Sequence, residues 1–431
     1  MRASLPIAFI ASGLACFGAS AGAPAGDSAI GQFQAIRKAL HDSHSRKDWQ
    51  ANLEAARRQR ELLNGSPHSQ LEVARAQLFL GSNDAGLKTL NVFAQMGGSV
   101  DPSPLAPDWA ALAQQDAAVR LQQRMAMNRS AVEHASEVFP LPDPALLPED
   151  IDFDPRTQLF YISSVREKKV IIADLRGEVG DLAPSPEGWP VLALKLDVAH
   201  ERLWVTEVAL RGYAFAPAAD WGRCALLAFD LKRHVVVQRI EAPRGTALGD
   251  MVLTKRGDVI VSDGDGGGVY RLALGGAALE RLDHGEFISP QTPALHPDGA
   301  HLFVPDYVRG LAILDTRTGK VQWVAMADRF ALNGIDGLYF ARERLIATQN
   351  GTSPERVVTF AMDTARQQVV SEKIIERATP TLGDPTHGVV VGEDFYYIAN
   401  AGWDAIDEHG ALRPGAQLPT SRLMRVRLST L

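Results

Sequence analysis

From Leu147 to the C-terminus, short apolar runs recur about six times, each opening after a turn and ending at Asp-Pro, Asp-Gly or a charged pair. The clearest copies are Ile151-Asp152-Phe153 leading into Leu159-Phe160-Tyr161-Ile162-Ser163, and Leu295-His296-Pro297-Asp298-Gly299 leading into Leu302-Phe303-Val304. Fainter copies run from Leu196 to Thr206, Met251 to Asp263, Leu338 to Thr348 and Val389 to Ile398. Runs this short, with turn punctuation between them, are strands. A period of roughly 40–50 residues is the spacing of β-propeller blades. The pattern predicts a six-bladed β-propeller, which would gather one residue per blade around a central mouth.

The first third has a different period. Phe33, Ile36 and Leu40 fall at helical spacing, as do Leu71, Ala74 and Leu78. Gly65-Ser66-Pro67 and Gly81-Ser82-Asn83-Asp84 punctuate the helices with C-terminal glycines and capping side chains. Residues Asp48–Gly65 read as one helix with its turn. Pro67–Gly97, with Leu71, Ala74, Gln77, Leu78, Gly81, Ala85, Leu87, Leu90 and Ala94, resembles one tetratricopeptide repeat lacking its signature Trp and Tyr. The resemblance implies a helical domain that buttresses the propeller or binds a protein. The fold class expected is thus multidomain α plus all-β, with helices over 22–135 and the propeller over 136–431. In the connector, Val138–Leu141 is the candidate strand to close the ring by joining the last blade, although its prolines weaken it.

The N-terminus resembles a secretory signal. Arg2 is the positive start, Leu5–Phe17 the short apolar core and Ala19-Ser20-Ala21 the cleavage site, so residues 1–21 are expected to be removed. A lipoprotein anchored at Cys16 is the lesser alternative, and periplasmic or secreted the expected location. No later stretch is long and apolar enough to span a membrane. A net charge of −7 over 431 residues argues against nucleic acid as the partner. Removal of Cys16 would leave Cys224, which enters an apolar strand and reads as a packed thiol.

Aligning the blades two residues before their innermost strands gives a column: Glu149, Leu192, Gly249, Gln291, Asp336 and His387. Two carboxylates, an amide and an imidazole facing one axis suit a hard divalent cation such as calcium. They suit equally a water-filled channel lined by turn-capping groups. A second column, Asp263, Asp306, Asn350 and Asn400, follows the second strands. Asp and Asn there most often close turns, but Asn350-Gly351-Thr352 and Asn400-Ala401-Gly402-Trp403 are richer than a turn needs. Asn350, Asn400 and Trp403 are therefore candidates for the rim of a pocket.

Over residues of about 146–431 the chain resembles the senescence-marker-protein/gluconolactonase family. Pro148-Glu149-Asp150 stands where that family has a metal-binding Glu, and Ile335-Asp336-Gly337 where it has an Asp that is both ligand and general base. Gln291 replaces its Asn ligand, and Gly249, beside Asp250, replaces a substrate-contacting Asn. The resemblance implies a metal site of Glu149, Gln291 and Asp336, with Asp336 the catalytic base and Asp250 and His387 near the substrate.

Other chemistry finds little support. Gly264-Asp265-Gly266-Gly267-Gly268 runs into a strand, not a helix, so it reads as a hairpin rather than a phosphate loop. The Gly-x-Ser-x-Gly match at Gly18–Gly22 straddles the signal cleavage site. Two functions from different classes remain. One is metal-dependent hydrolysis of a small lactone or ester, with a small molecule as partner. The other is a non-enzymatic scaffold that binds a periplasmic protein.

Overall fold

Strands in the second position of each blade are sandwiched between neighbouring blades, so both faces need apolar cover and the runs lose their alternation. Leu159–Ser164 is buried from Phe160 onward, and Val259–Asp263 is buried throughout. Outermost strands lack that cover; Val236–Glu241 is largely exposed. In this computed structural model, which describes residues 28–325, 329–363 and 367–430, six antiparallel sheets result. They form a six-bladed propeller whose innermost strands are Pro148–Asp154, Val191–Asp197, Leu248–Leu253, Ala294–Leu295, Leu338–Ala341 and Gly388–Val391.

Neighbouring blades are fastened near the axis by buried hydroxyls. Ser163 in blade 1 takes the N–H of Asp150 (2.8 Å) and donates to the Leu192 carbonyl of blade 2. Ser262 in blade 3 donates to the Gln291 carbonyl of blade 4 (2.6 Å). Thr348 in blade 5 takes the N–H of Gly337 (2.8 Å) and donates to the Thr386 carbonyl of blade 6. Blade 6 meets blade 1 through His387, whose backbone N–H and Nδ1 lie 3.3 and 2.8 Å from the Glu149 carbonyl.

The ring closes as the connector predicts, and in duplicate. Strand β1 (Val132–Glu133) adds to the outer edge of blade 5, pairing with Arg377 and Glu376. Strand β2 (Ser136–Pro140) becomes the outermost strand of blade 6, pairing with Arg422–Arg427 through a bulge between Glu137 and Phe139. Pro140 is harmless there, because it ends an edge strand. Phe139 is buried and meets Phe160 at 6.3 Å between centroids. Gly177 passes so close that a Cβ would stand 2.9 Å from that of Phe139. Only β1 is new relative to the sequence reading; a strand of two residues carries no pattern.

The helical region consists of α1 (Ala29–Ser45), α2 (Trp49–Leu62), α3 (Pro67–Phe79) and α4 (Asn83–Gln95), then a short α5 (Trp109–Leu112) and α6 (Asp116–Asn128). Ser28, Asp48 and Ser66 cap the first three, accepting from Gly31, Ala51 and Ser69, with Pro67 opening α3. Helices α1 and α2, and α3 and α4, form antiparallel pairs. Gly86 lets the second pair close: a Cβ there would lie 2.5 Å from Leu78 Cγ. The proposed signal, with Cys16, lies outside the described residues.

The helices sit on the mouth side of blades 4 and 5. Ala29, Phe33 and Leu63 pack with Ile288 and Val308. Arg309 Nε donates to the Leu62 carbonyl and Asn64 Nδ2 to the Arg309 carbonyl, both at 3.0 Å. The Ser99 N–H donates to the Ser353 carbonyl (2.6 Å), and Ser353 Oγ to the Ser99 carbonyl (2.9 Å). The connector is tied down at both ends: the Ser130 carbonyl accepts from Arg377 Nε and Nη2 (3.2 and 3.1 Å), and the Leu141 N–H donates to the Ser421 carbonyl (2.8 Å).

Replacing Ser163 tests the blade fastening. Ser163→Ala orphans a buried N–H and a buried carbonyl at about 1–3 kcal/mol each. Urea unfolding should show a lower midpoint with an unchanged slope; an unaltered midpoint would remove the hydroxyl from the forces holding the ring.

Candidate active site at the propeller mouth

Residues at or just before the starts of the innermost strands are carried to one end of the axis, and the fold brings several of the column together there. A cavity of about 260 Å³ is lined by Glu149, Gln291, Asp336, Asn350 and Trp403 among others. Trp403 Nε1 donates to Glu149 Oε2 (2.6 Å), joining a residue of the first column to one read as rim. Asn350 Nδ2 donates to Asp336 Oδ2 (2.7 Å), and Asn350 Oδ1 accepts from Tyr307 (3.0 Å). The Gln291 amide nitrogen is spent on Ser289 Oγ (3.0 Å) and its carbonyl, which leaves the amide oxygen for the cavity.

Asp250 and His387 do not line this cavity. They lie just beneath it, 3% and 1% exposed, with His387 Nε2 2.7 Å from Asp250 Oδ1 and 3.9 Å from Asp336 Oδ1. The Asp250 contact is short but off the ideal hydrogen-bond direction, and charge and hydrogen bonding together hold the pair. Neither residue is therefore placed to touch a substrate directly. Asn400 is not at the mouth at all. It adopts the left-handed conformation (φ 54°), and its Nδ2 donates to the Thr381 carbonyl (3.1 Å), which makes it a turn residue.

The second column also shifts by one residue in blade 5. Asp263 accepts the N–H groups of Ala247 and Gly266 (2.8 and 2.7 Å), and Asp306 those of Ile288 and Ser289 (2.6 and 3.1 Å). The blade-5 residue doing this work is Gln349, whose Nε2 donates to the carbonyls of Ala331 and Asn333 (3.0 and 2.8 Å). Asn350, one place on, is released into the cavity.

The electrostatics are dominated by crowded carboxylates. Burial, then the neighbouring Asp336, pushes the Glu149 carboxyl well above its usual range. Burial lifts Asp336 to about 6; His387 opposes the lift and Asp250 adds to it. Burial alone would depress His387, but Asp250 and Asp336 outweigh it and hold the ring well above its ordinary value. His387 is thus an imidazolium, a built-in cation under the acidic floor. Beyond it, Lys195 Nζ sits 3.1 and 3.2 Å from the two Asp150 oxygens.

Three further wall residues escaped the sequence reading. Glu355 accepts the N–H of Asp384 (2.6 Å), Asp384 accepts that of Trp403 (2.6 Å), and Asp404 completes the group. Burial raises all three, joined by carboxylate repulsion at Glu355 and at Asp384, which reaches about 7, and opposed by Arg413 at Asp404. Seven of the lining residues are acidic and Arg413 alone is basic, so the cavity attracts cations and repels anions. Its oxygen donors are those of a hard cation. Among the described residues, no three His, Cys, Asp or Glu donors at the mouth lie within 4.8 Å of one another. An ion here would rest on Glu149, Asp336, the Gln291 amide and water.

A second cavity, of about 410 Å³, adjoins the first and shares Tyr307, Asn350, Glu355 and Asp404 with it. Leu71, Phe93, Met96 and Val100 of the helical region supply its apolar wall.

No protein-family model matches the chain, and no curated protein is similar to it. Among solved structures, a luciferin-regenerating enzyme is 13% identical with a TM-score of 0.49, covering 69% of this chain and 95% of its own. The calcium-binding protein regucalcin from Agrobacterium tumefaciens is 17% identical (TM-score 0.47; 69% and 93%). A PQQ-bound aldose sugar dehydrogenase from Streptomyces coelicolor is 11% identical (TM-score 0.48; 69% and 98%). Similarity at this level carries no argument about chemistry.

The Asp336 carboxyl has an ordinary value of 3.8 and stands near 6 when folded. Between those values the folded state binds more protons than the unfolded one, so this contribution to stability is complete below about pH 4. It is lost as pH rises through about 6. In chelator, wild type should therefore lose stability relative to Asp336→Asn between pH 4 and 7 in denaturant titrations. A widening advantage for wild type over that range would reverse the assignment.

Proposed function

We propose that the mouth hydrolyses a small lactone or ester with the help of a hard divalent cation, calcium foremost. The observation that carries this reading is Asp336: a carboxyl near 6, oriented by Asn350, facing the cavity that Glu149 and Gln291 also line. A base with that value is mostly ionised at neutral pH yet still takes a proton readily. A cation bound by Glu149, Gln291 and Asp336 would polarise the carbonyl and acidify a water molecule.

The chain's own groups would do the rest. Asp336 accepts the proton of the attacking water as its oxygen bonds to the carbonyl carbon. The carbon–oxygen bond of the ring or ester then breaks, and the departing alkoxide takes the proton back from Asp336. Asn350 keeps the carboxylate turned toward the water, and the imidazolium of His387 stabilises its charged form. The acidic wall excludes anionic substrates. The adjoining apolar cavity suits a non-polar substituent on the acyl side, a place for the helices in substrate choice.

A second reading is a periplasmic binding protein without catalysis. The adjoining cavity favours it, since a surface built from both the helices and the propeller can bind without reacting. For the first reading, metal analysis of the purified protein and a lactone panel with Ca²⁺, Mn²⁺ or Zn²⁺ are decisive. Asp336→Ala should lower kcat by about 10²–10⁴ and weaken metal binding while the propeller stays folded. Wild-type protein inert on every substrate and free of metal would hand the argument to the binding reading.

Export belongs to the same proposal. N-terminal sequencing of protein from the native host should begin at Gly22. A start at Met1 would exclude a cleaved signal.

A further inference from the structure

The turn between the first two strands of blade 4 stands apart from its counterparts, and it lies at the end of the propeller opposite the mouth. His296, Asp298 and His301 converge there, their donor atoms all within 4.8 Å of one another. We infer that this turn binds a borderline transition-metal dication, zinc foremost, through His296 Nδ1, Asp298 Oδ2 and His301 Nδ1.

The two imidazole nitrogens lie 3.1 and 2.6 Å from the same Asp298 oxygen. Donors around a tetrahedral zinc stand about 3.3 Å apart, given bonds of about 2.0–2.1 Å. The two histidine–carboxylate spacings therefore need to open by about 0.2 and 0.7 Å to admit the ion. The set is held from outside. Asp298 Oδ1 is occupied by the N–H groups of Ala300 and His301 (2.9 and 3.0 Å), which turns Oδ2 toward the histidines. His296 rests against Phe303, 4.8 Å between ring centroids. Asp315 Oδ2 stands 4.0 Å from His301 Nε2, on the far side of the ring from the site, too far for a hydrogen bond but close enough for its charge to favour a ligating imidazole.

The lone pairs make the same point. The Asp298 N–H approaches His296 Nδ1 at 3.3 Å, a long contact that marks this nitrogen as an acceptor. A nitrogen lone pair facing a carboxylate oxygen at 3.1 Å is repulsive unless a proton or a metal ion lies between them. Two imidazoles and one carboxylate select zinc, cobalt or nickel over calcium. Three protein ligands leave a position open to water. This ion differs in kind from the hard cation proposed for the mouth and does not depend on it.

The test uses tag-free, chelator-treated protein titrated with Zn²⁺ by calorimetry and with Co²⁺ by visible absorption. Wild type should bind one Zn²⁺ in this turn at micromolar concentration and give the ligand-field band of low-symmetry Co²⁺. The double variant His296→Ala/His301→Ala should lose the band and at least 100-fold in affinity. Asp315→Asn should weaken binding less than the double variant does, while keeping the band. Asp258→Asn, in the corresponding turn of blade 3, should bind as wild type, and unchanged thermal unfolding in all variants would confirm their fold. Failure of wild type to take zinc, or equal affinity in the double variant, would overturn the site. Neither outcome bears on hydrolysis, which none of these measurements reads.

Discussion

Sheets arranged around an axis must be held to one another near that axis, where backbone groups are buried and water cannot replace a missing partner. At three of the six boundaries the holding is done by hydroxyls one strand out from the axis. Ser163, Ser262 and Thr348 each donate across a blade boundary. They join blade 1 to 2, 3 to 4 and 5 to 6. The last boundary, from blade 6 to blade 1, belongs to His387 and the Glu149 carbonyl. The mouth inherits its shape from these contacts, because the residues ahead of each innermost strand are fixed by the same bonds. Glu149 is placed by the carbonyl that His387 grips, and Asp336 by the Gly337 N–H that Thr348 holds.

That double use of His387 ties stability to electrostatics. Its Nδ1 is committed to the ring, so only Nε2 faces the carboxylates, and there it carries a proton between Asp250 and Asp336. Without that charge, Asp250, Asp336 and Glu149 would be buried together with only the more distant Lys195 to oppose them, an expensive arrangement. With it, Asp336 is kept near neutrality rather than far above it. Removing His387 would disturb the ring and the charge balance at once. Asp336, whose side chain bonds only to Asn350, separates the two effects more cleanly.

The propeller was legible because buried second strands are long apolar runs, and because the turn residues repeat. The closing strand was legible because a ring needs one and Val138–Leu141 stood in the right place. Glu149 and Asp336 fell on equivalent positions because the innermost strands share a register with their neighbours. The second column failed where Asn350-Gly351 imitates Asp263-Gly264: the true equivalent of Asp263 is Gln349, a residue with no turn signature. Asn400 was mistaken for the same reason. Glu355, Asp384 and Asp404 were invisible as a group, since they come from loops of unequal length that no repeat aligns. Their convergence is a property of closure, not of period.

The helical region is best understood from the same geometry. It touches blades 4 and 5, the blades whose loops carry Tyr307 and Asn350. Two alternatives stood open from sequence, buttress and binding surface, and the packing gives physical content to both. Phe33 and Leu63 against Ile288 and Val308 are a buttress. Leu71, Phe93, Met96 and Val100 pack into or beside the helical core yet also face the cavity between helices and propeller. Apolar side chains that line open space forgo the dispersion contacts a core would give them. The hydrogen-bonded chain from Tyr307 through Asn350 to Asp336 leads from that cavity to the base. A group lodged among the helices is thereby one residue removed from the groups that would act on it.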